Sequence, residues 1–177
     1  MKKRIVAILM ILSVLFCLVG CQKASQEGFR LFRSTPLGFS VEYPDFWQKT
    51  VETSEGIAAF ITPTEGYSDK YSDNVTVRTF TPDMEYNAYV TGYVSALPST
   101  LSNYKLVSET DTTLGGEPAY QIVYESTDEQ GNELRFMQIF AQHGEKIFVV
   151  TYIGEFSSYS YFLTSVEKML PTFTFLK

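Results

Sequence analysis

The clearest alternation of apolar and polar positions lies in the second half of the chain. Glu117–Ser126, 133–142 and 146–153 are strand-like runs separated by the short reversals Gln130-Gly131-Asn132 and His143-Gly144-Glu145. Connections that short can join only antiparallel neighbours. Leu114-Gly115-Gly116 turns an earlier run, Tyr104–Thr112, back against the first of the three. The last run, Ile147-Phe148-Val149-Val150-Thr151-Tyr152-Ile153, is apolar on both faces, which predicts a central strand covered on both sides. Upstream, Phe29–Arg33, Phe39–Tyr43, Ile57–Ile61 and Val75–Phe80 also read as strands. In the second of these Phe39, Val41 and Tyr43 alternate with Ser40 and Glu42, the period of a half-buried strand.

Two stretches change to the helical period. Thr81-Pro82-Asp83 combines a hydroxyl cap, a first-turn proline and an early acid. Tyr86, Tyr89, Val90, Tyr93, Val94 and Leu97 then form one apolar stripe, with Pro98 as the predicted stop. The second helix carries Tyr159, Phe162, Leu163, Val166, Met169 and Leu170 on its buried side, with Ser157 or Ser158 as cap and Pro171 beyond its end. Thr172–Leu176 is expected to close the chain as a short strand. Together these predict an α+β domain, a central antiparallel sheet with helices packed against it.

The longest apolar run stands apart from that domain. Lys2, Lys3 and Arg4 precede an uncharged stretch from Ile5 to Val19, 15 residues long. As a helix it reaches about 22 Å, against roughly 30 Å of membrane hydrocarbon. That is short for a membrane span and fits the apolar region of a secretory signal. Its end, Leu18-Val19-Gly20-Cys21, resembles a bacterial lipobox, in which branched and small residues admit a peptidase before a cysteine that accepts a diacylglyceryl group. The expectation is a signal peptide over residues 1–20 and lipid attachment at Cys21, with fatty chains such as palmitate. A polar tether over 21–28 and a single domain over 29–177 follow. Two or more acyl chains hold a protein stably where one does not, so the domain is expected on the extracytoplasmic face of the cell membrane. The leading charges lack a twin-arginine pair, which favours export before folding.

Charge and cysteine content narrow the function. The signal removes three of the 14 basic residues and none of the 20 acidic ones, leaving 11 against 20 and a formal charge of −9. Such a domain is a poor match for nucleic acid, whose phosphates must be neutralised, and is repelled by anionic headgroups. Cys17 leaves with the signal and Cys21 carries lipid, so no disulfide forms within the domain and stability rests on an apolar core. The 14 Phe and 12 Tyr make that core aromatic.

Gly38-Phe39-Ser40-Val41-Glu42-Tyr43-Pro44, with Trp47 three residues on, resembles the opening of PsbP-like domains. Asn74-Val75-Thr76-Val77 before a helix, Leu114-Gly115-Gly116 followed by Ala119-Tyr120, and Thr172-Phe173-Thr174-Phe175 are similar to that family in the same order. The resemblance spans roughly residues 36–175. It implies a central antiparallel sheet sandwiched by helices, and a family whose members include an extrinsic photosystem II subunit and bacterial lipoproteins. Metal ligands of plant members have no counterpart that can be placed here residue by residue.

Candidate chemistry is sparse. His143 is the only histidine and is expected as an exposed turn residue. Catalysis would require a nucleophile and an orienting partner beside it. No phosphate loop, dinucleotide fingerprint, Gly-x-Ser-x-Gly or zinc spacing occurs. The loop from Glu65 to Asn74 offers three carboxylates to a hard cation such as calcium, but its spacing is not that of an EF-hand and Lys70 interrupts it. A solvated loop is the simpler reading. Trp47 is expected in the core, and Asn74-Val75-Thr76 is an incidental match to a glycosylation acceptor. No catalytic residue, metal ligand or cofactor is assigned. The leading expectation is a non-enzymatic, membrane-anchored interaction or assembly module that meets an unidentified protein partner, with Tyr67, Tyr71, Tyr159 and Tyr161 contributing to a contact patch. The alternative is a lipoprotein that binds a small ligand or a divalent metal, calcium or manganese.

Overall fold

The computed structural model describes residues 25–64 and 72–177. Cys21, the start of the tether and most of the 65–74 loop, with Tyr67 and Tyr71, lie outside the described residues. Ten strands and two helices make up the described chain. They are β1 (Phe29–Ser34), β2 (Phe39–Pro44), β3 (Gln48–Glu52), β4 (Ile57–Ile61), β5 (Asn74–Phe80), α1 (Tyr86–Thr100), β6 (Ser102–Leu114), β7 (Glu117–Thr127), β8 (Glu133–His143), β9 (Lys146–Glu155), α2 (Tyr159–Met169) and β10 (Thr174–Phe175). Seven strands form one sheet in the order β3-β4-β5-β9-β8-β7-β6, and β1-β2-β10 form a smaller one. Every pairing is antiparallel.

β9 is the middle strand of seven, as its unbroken apolar run requires. Its alternate residues enter two separate cores. Ile147 and Val149 meet Val90 and Leu97 of α1, together with Ile122, Tyr124 and Phe140. Phe148, Val150 and Tyr152 meet the opposite layer, built from α2 (Tyr159, Phe162, Val166, Met169) and the small sheet (Phe32, Phe39, Val41, Tyr43). Thr151, the one polar residue in the run, accepts a hydrogen bond at 3.2 Å from buried Gln138, which also donates to Tyr93 at 3.0 Å and accepts from Tyr124 at 3.2 Å. Polar groups under α1 are thereby satisfied where burial would otherwise penalise them.

Local expectations shift at several boundaries. α1 begins at Tyr86 rather than at Thr81, and neither Glu85 nor Thr81 supplies a side-chain cap. Pro82 disfavours helical backbone at Thr81, so 81–85 carries the chain from β5 onto the sheet face. The helix starts where Tyr86 can bury its ring and donate its hydroxyl to the Phe140 carbonyl at 2.8 Å. Pro98 lies inside the last turn instead of ending the helix. There the Ser99 and Thr100 hydroxyls donate to the Ala96 carbonyl at 2.9 and 3.0 Å, helping to satisfy the frayed end. At the other terminus Leu170–Thr172 is a 3₁₀ turn that leaves only Thr174–Phe175 as strand. β3 has no counterpart in the apolar pattern because all five of its residues are exposed. Backbone pairing to β4 defines it.

Gln26 and Gly28, part of the segment read as a tether, bind the domain. Gln26 donates its backbone N–H to Glu42 at 3.0 Å and its side-chain amide to the Lys168 carbonyl at 3.3 Å. The Gly28 carbonyl accepts from Asp45 at 2.9 Å. Among the described residues no helix is long and apolar enough to cross a membrane.

The β3–β4 hairpin imposes a specific demand at Gly56. Its φ is +70°, and a Cβ there would stand 2.1 Å from the Thr79 carbonyl oxygen. Gly131 has φ +86° but open space around it. Gly56→Ala is expected to destabilise by more than the roughly 1–3 kcal/mol that left-handed strain alone costs, and by more than Gly131→Ala. Urea unfolding of the two variants checks this, and equal losses would contradict the close contact at Thr79.

Candidate functional site

Three places concentrate chemistry that the fold does not consume entirely. The first is the entry to α2. Asp73, read above as one of the carboxylates of a solvated loop, is 1% exposed. Its Oδ2 accepts from the Tyr152 hydroxyl at 3.1 Å, and its Oδ1 from the Glu155 N–H at 3.1 Å. The Ser158 hydroxyl donates to both oxygens at 3.0 and 3.1 Å. Ser158 occupies the cap position of α2, but its hydroxyl is taken by Asp73 and makes no capping bond to the helix. Gly154 leaves room for this arrangement, since a Cβ there would lie 2.4 Å from Asp73 Oδ2. Thr62 donates its N–H to the Asp73 carbonyl at 2.9 Å. Asp73 is therefore held by its carbonyl to Thr62 and by its buried carboxylate to β9 and the start of α2. Among the described residues no three His, Cys, Asp or Glu side chains are grouped as a metal site.

The second place is an aromatic surface on the outer side of α2. Pro44 ends β2, and the reversal that follows sends neighbouring rings in opposite directions. Trp47 turns inward and meets Phe162 edge-on at 5.9 Å, whereas Phe46 remains 59% exposed. Helical spacing does the same on α2. Tyr159 and Phe162 face the core, and Tyr161 stands out at 72% exposure, its ring 4.8 Å from that of Phe162. Phe46, Tyr161, Phe162, Pro63, Thr164 and Ser165 border a depression of 510 Å³, and among the described residues that line it none is charged. Tyr159, expected in a contact patch, is only 3% exposed and is stacked on Tyr152 at 4.6 Å. Burial pushes its hydroxyl up to about 12.

The third place is a groove of 550 Å³ between α1 and the β6–β7 shelf. Val90, Val94 and Pro118 give it an apolar floor, Tyr86 and Tyr120 wall it, and Glu109 and Asp111 stand at its rim. Burial and then the neighbouring Glu109 carboxylate push the Tyr120 hydroxyl up to about 12. Tyr86 is raised as well, chiefly by burial, with Asp111 adding to it. This groove was not anticipated from the sequence, although the signal was present. The Gly115-Gly116 turn sets Leu114 opposite Glu117, which places Asp111 opposite Tyr120 and Glu109 opposite Ile122, all on the α1 side of the sheet.

His143 ends β8 rather than lying within the turn. Its Nδ1 is 2.9 Å from Glu117 Oε1, and its ring stacks on Phe175 at 4.6 Å. Among the described residues no hydroxyl or thiol is hydrogen-bonded to it. Trp47 is buried, as its position predicts. Across the far end of the sheet, Arg135 and Lys105 both pair with Glu125, and Arg135 foremost holds that carboxyl below the usual carboxylate range.

A seven-stranded antiparallel sheet, with one helix on one face and a helix plus a three-stranded sheet on the other, defines an α+β sandwich. The chain belongs to the PsbP-like protein family, whose model matches residues 20–175. Among solved structures it is similar to cyanobacterial PsbP (CyanoP) from Synechocystis, with TM-score 0.60 and 14% identity over 89% of this chain and 98% of that one. LpqN of Mycobacterium tuberculosis, involved in cell envelope biogenesis, aligns with TM-score 0.58 and 13% identity over 84% and 91%. A Pseudomonas aeruginosa protein of unknown function aligns with TM-score 0.57 and 19% identity over 79% and 92%. These are likenesses of fold. No curated protein matches the chain.

Removing the buried Asp73 carboxylate takes the acceptor from the Glu155 N–H and leaves Tyr152 and Ser158 their bonds to the Tyr159 and Glu155 carbonyls. Bonds to a charged acceptor contribute about 1.5–3 kcal/mol each. Asp73→Ala is expected to destabilise the domain by about 3 kcal/mol or more in urea unfolding. A loss below about 0.5 kcal/mol, the range of an ordinary surface substitution, would contradict the buried role.

Proposed function

We propose that this chain is a lipid-anchored, extracytoplasmic, non-enzymatic module that docks a protein partner at the membrane surface. The observation that carries the reading is the aromatic depression around Phe46 and Tyr161, whose described lining residues carry no charge. Interface cores are depleted in charge and enriched in aromatic rings. On a domain of formal charge −9, two neighbouring exposed rings among uncharged described residues form a surface that association would bury favourably.

The position of the patch supports an occupant that is itself held at the membrane. The chain joins the domain at Gln26, beside Lys168 near the end of α2. Tyr161 lies seven residues earlier on the same helix, about 10 Å along its axis. From Cys21 to Gln26 the chain spans at most about 18 Å. A lipid on Cys21 would therefore keep the helix that bears the patch close to the bilayer. The involvement of LpqN, similar in fold, in cell envelope biogenesis agrees with an envelope role. The second reading, small-ligand binding, is favoured by a different surface, the groove beside α1.

Photo-crosslinking in native membranes tests the docking reading. A photoreactive residue at Tyr161 or Phe46 should capture one reproducible protein, and Phe46→Ala should reduce capture at Tyr161 at least severalfold. A probe at exposed Val51 on edge strand β3 should capture little. Equal, diffuse labelling from all three positions, or labelling of lipid alone, would contradict it.

A further inference from the structure

The groove between α1 and the β6–β7 shelf takes no part in the docking reading, and the two can fail independently. It exists because the sheet is wider than the helix that covers it. α1 packs over β7, β8 and β9, with Phe80 of β5 and Tyr104 of β6 at its flanks, and the later part of β6 around Glu109 and Asp111 lines the groove beside it. Its volume of 550 Å³ lies within the range of small-molecule sites.

The lining is chemically one-sided. Val90 and Val94 offer a hydrocarbon floor, and among the described residues that line the groove none is basic. Lys105, the only basic residue of β6, is held by Glu125 at 3.0 Å. Asp111 lies directly opposite Tyr120 in the β6–β7 register and acts electrostatically on both Tyr120 and Tyr86, so one carboxylate serves two ring systems. The Tyr86 hydroxyl is committed to the Phe140 carbonyl at 2.8 Å, which leaves its ring as the available surface. Glu109, two residues along the same strand face, adds a second negative charge beside Tyr120.

Carboxylates beside the electron-rich faces of aromatic rings attract organic cations, and ring faces discriminate in favour of weakly hydrated ammonium groups. A hard divalent ion wants six or more oxygen ligands, whereas this rim presents two exposed carboxylates above hydrocarbon. An organic anion would be repelled. We propose that the groove binds an organic ammonium ion bearing a short apolar tail, with the cation between Asp111, Glu109 and the rings of Tyr86 and Tyr120, and the tail along Val90 and Val94.

Butyltrimethylammonium, butyrate and calcium chloride serve as probes of the full chain isolated from membranes in an uncharged detergent, with empty micelles as the blank. The expected result is saturable calorimetric binding of butyltrimethylammonium alone, with NMR shifts confined to α1 and to residues 109–111 and 118–120. Glu109→Gln/Asp111→Asn should weaken it roughly threefold to tenfold, the scale of two exposed charge pairs. Val94→Trp, which fills the floor and leaves the charges in place, should weaken it at least as much, and both variants should keep the thermal midpoint. No saturable binding, equal binding of butyrate, a calcium response without an ammonium response, or an affinity unchanged in both variants would each overturn the proposal.

Discussion

Two-sided burial of β9 is the constraint from which the architecture follows. A strand that is apolar on both faces must have cover above and below, and a single α-helix is narrower than a seven-stranded sheet. α1 supplies the cover on one face. On the other, α2 and the β1-β2-β10 sheet share it, with Phe148, Val150 and Tyr152 pointing between them. Where each layer stops short of the sheet or of its neighbour, a surface is left over. The groove forms between α1 and the stretch of β6 around Glu109 and Asp111. The aromatic depression forms where α2, the β2–β3 reversal and Pro63 border one another.

The polar groups inside the molecule are arranged to protect that layering. Gln138 gathers Tyr93, Tyr124 and Thr151 beneath α1, so the Thr151 hydroxyl does not weaken the face that carries it. Asp73 performs the corresponding task at the far end of β9, where it joins the strand to the start of α2. A buried carboxylate adds little net stability when compared with a well-packed apolar alternative, but it is directional. It fixes where α2 begins, and through α2 it fixes which face Tyr161 presents to solvent.

What could be read in the sequence was what local periodicity encodes. β7, β8 and β9 are legible because their turns are short and their apolar residues continuous, and α2 because its buried stripe is regular. β3 is invisible to the same reasoning, since Gln48–Glu52 buries nothing and exists through backbone pairing alone. The start of α1 was misplaced because Thr81-Pro82-Asp83 carries capping chemistry, yet the helix begins where Tyr86 gains a tertiary contact. Asp73 looked like part of a solvated loop because its partners, Tyr152, Glu155 and Ser158, lie about eighty residues away. Tyr159 and Tyr161 look alike in composition and differ by a rotation on the helix, which buries one and exposes the other. The groove was within reach, because the β6–β7 register can be counted outward from Gly115-Gly116.

The functional account joins an anchor at the amino end to a surface on the helix nearest to it. If Cys21 carries the lipid, the short chain between it and Gln26 holds the domain near the bilayer, within reach of partners that share the membrane, as the proposed docking requires. The most direct test is mass spectrometry of the amino-terminal peptide of the protein isolated from its native membrane. The account predicts a chain that begins at Cys21 and bears a diacylglyceryl group on its sulfur. A product that retains Met1, or that begins elsewhere without added glyceride, would contradict it.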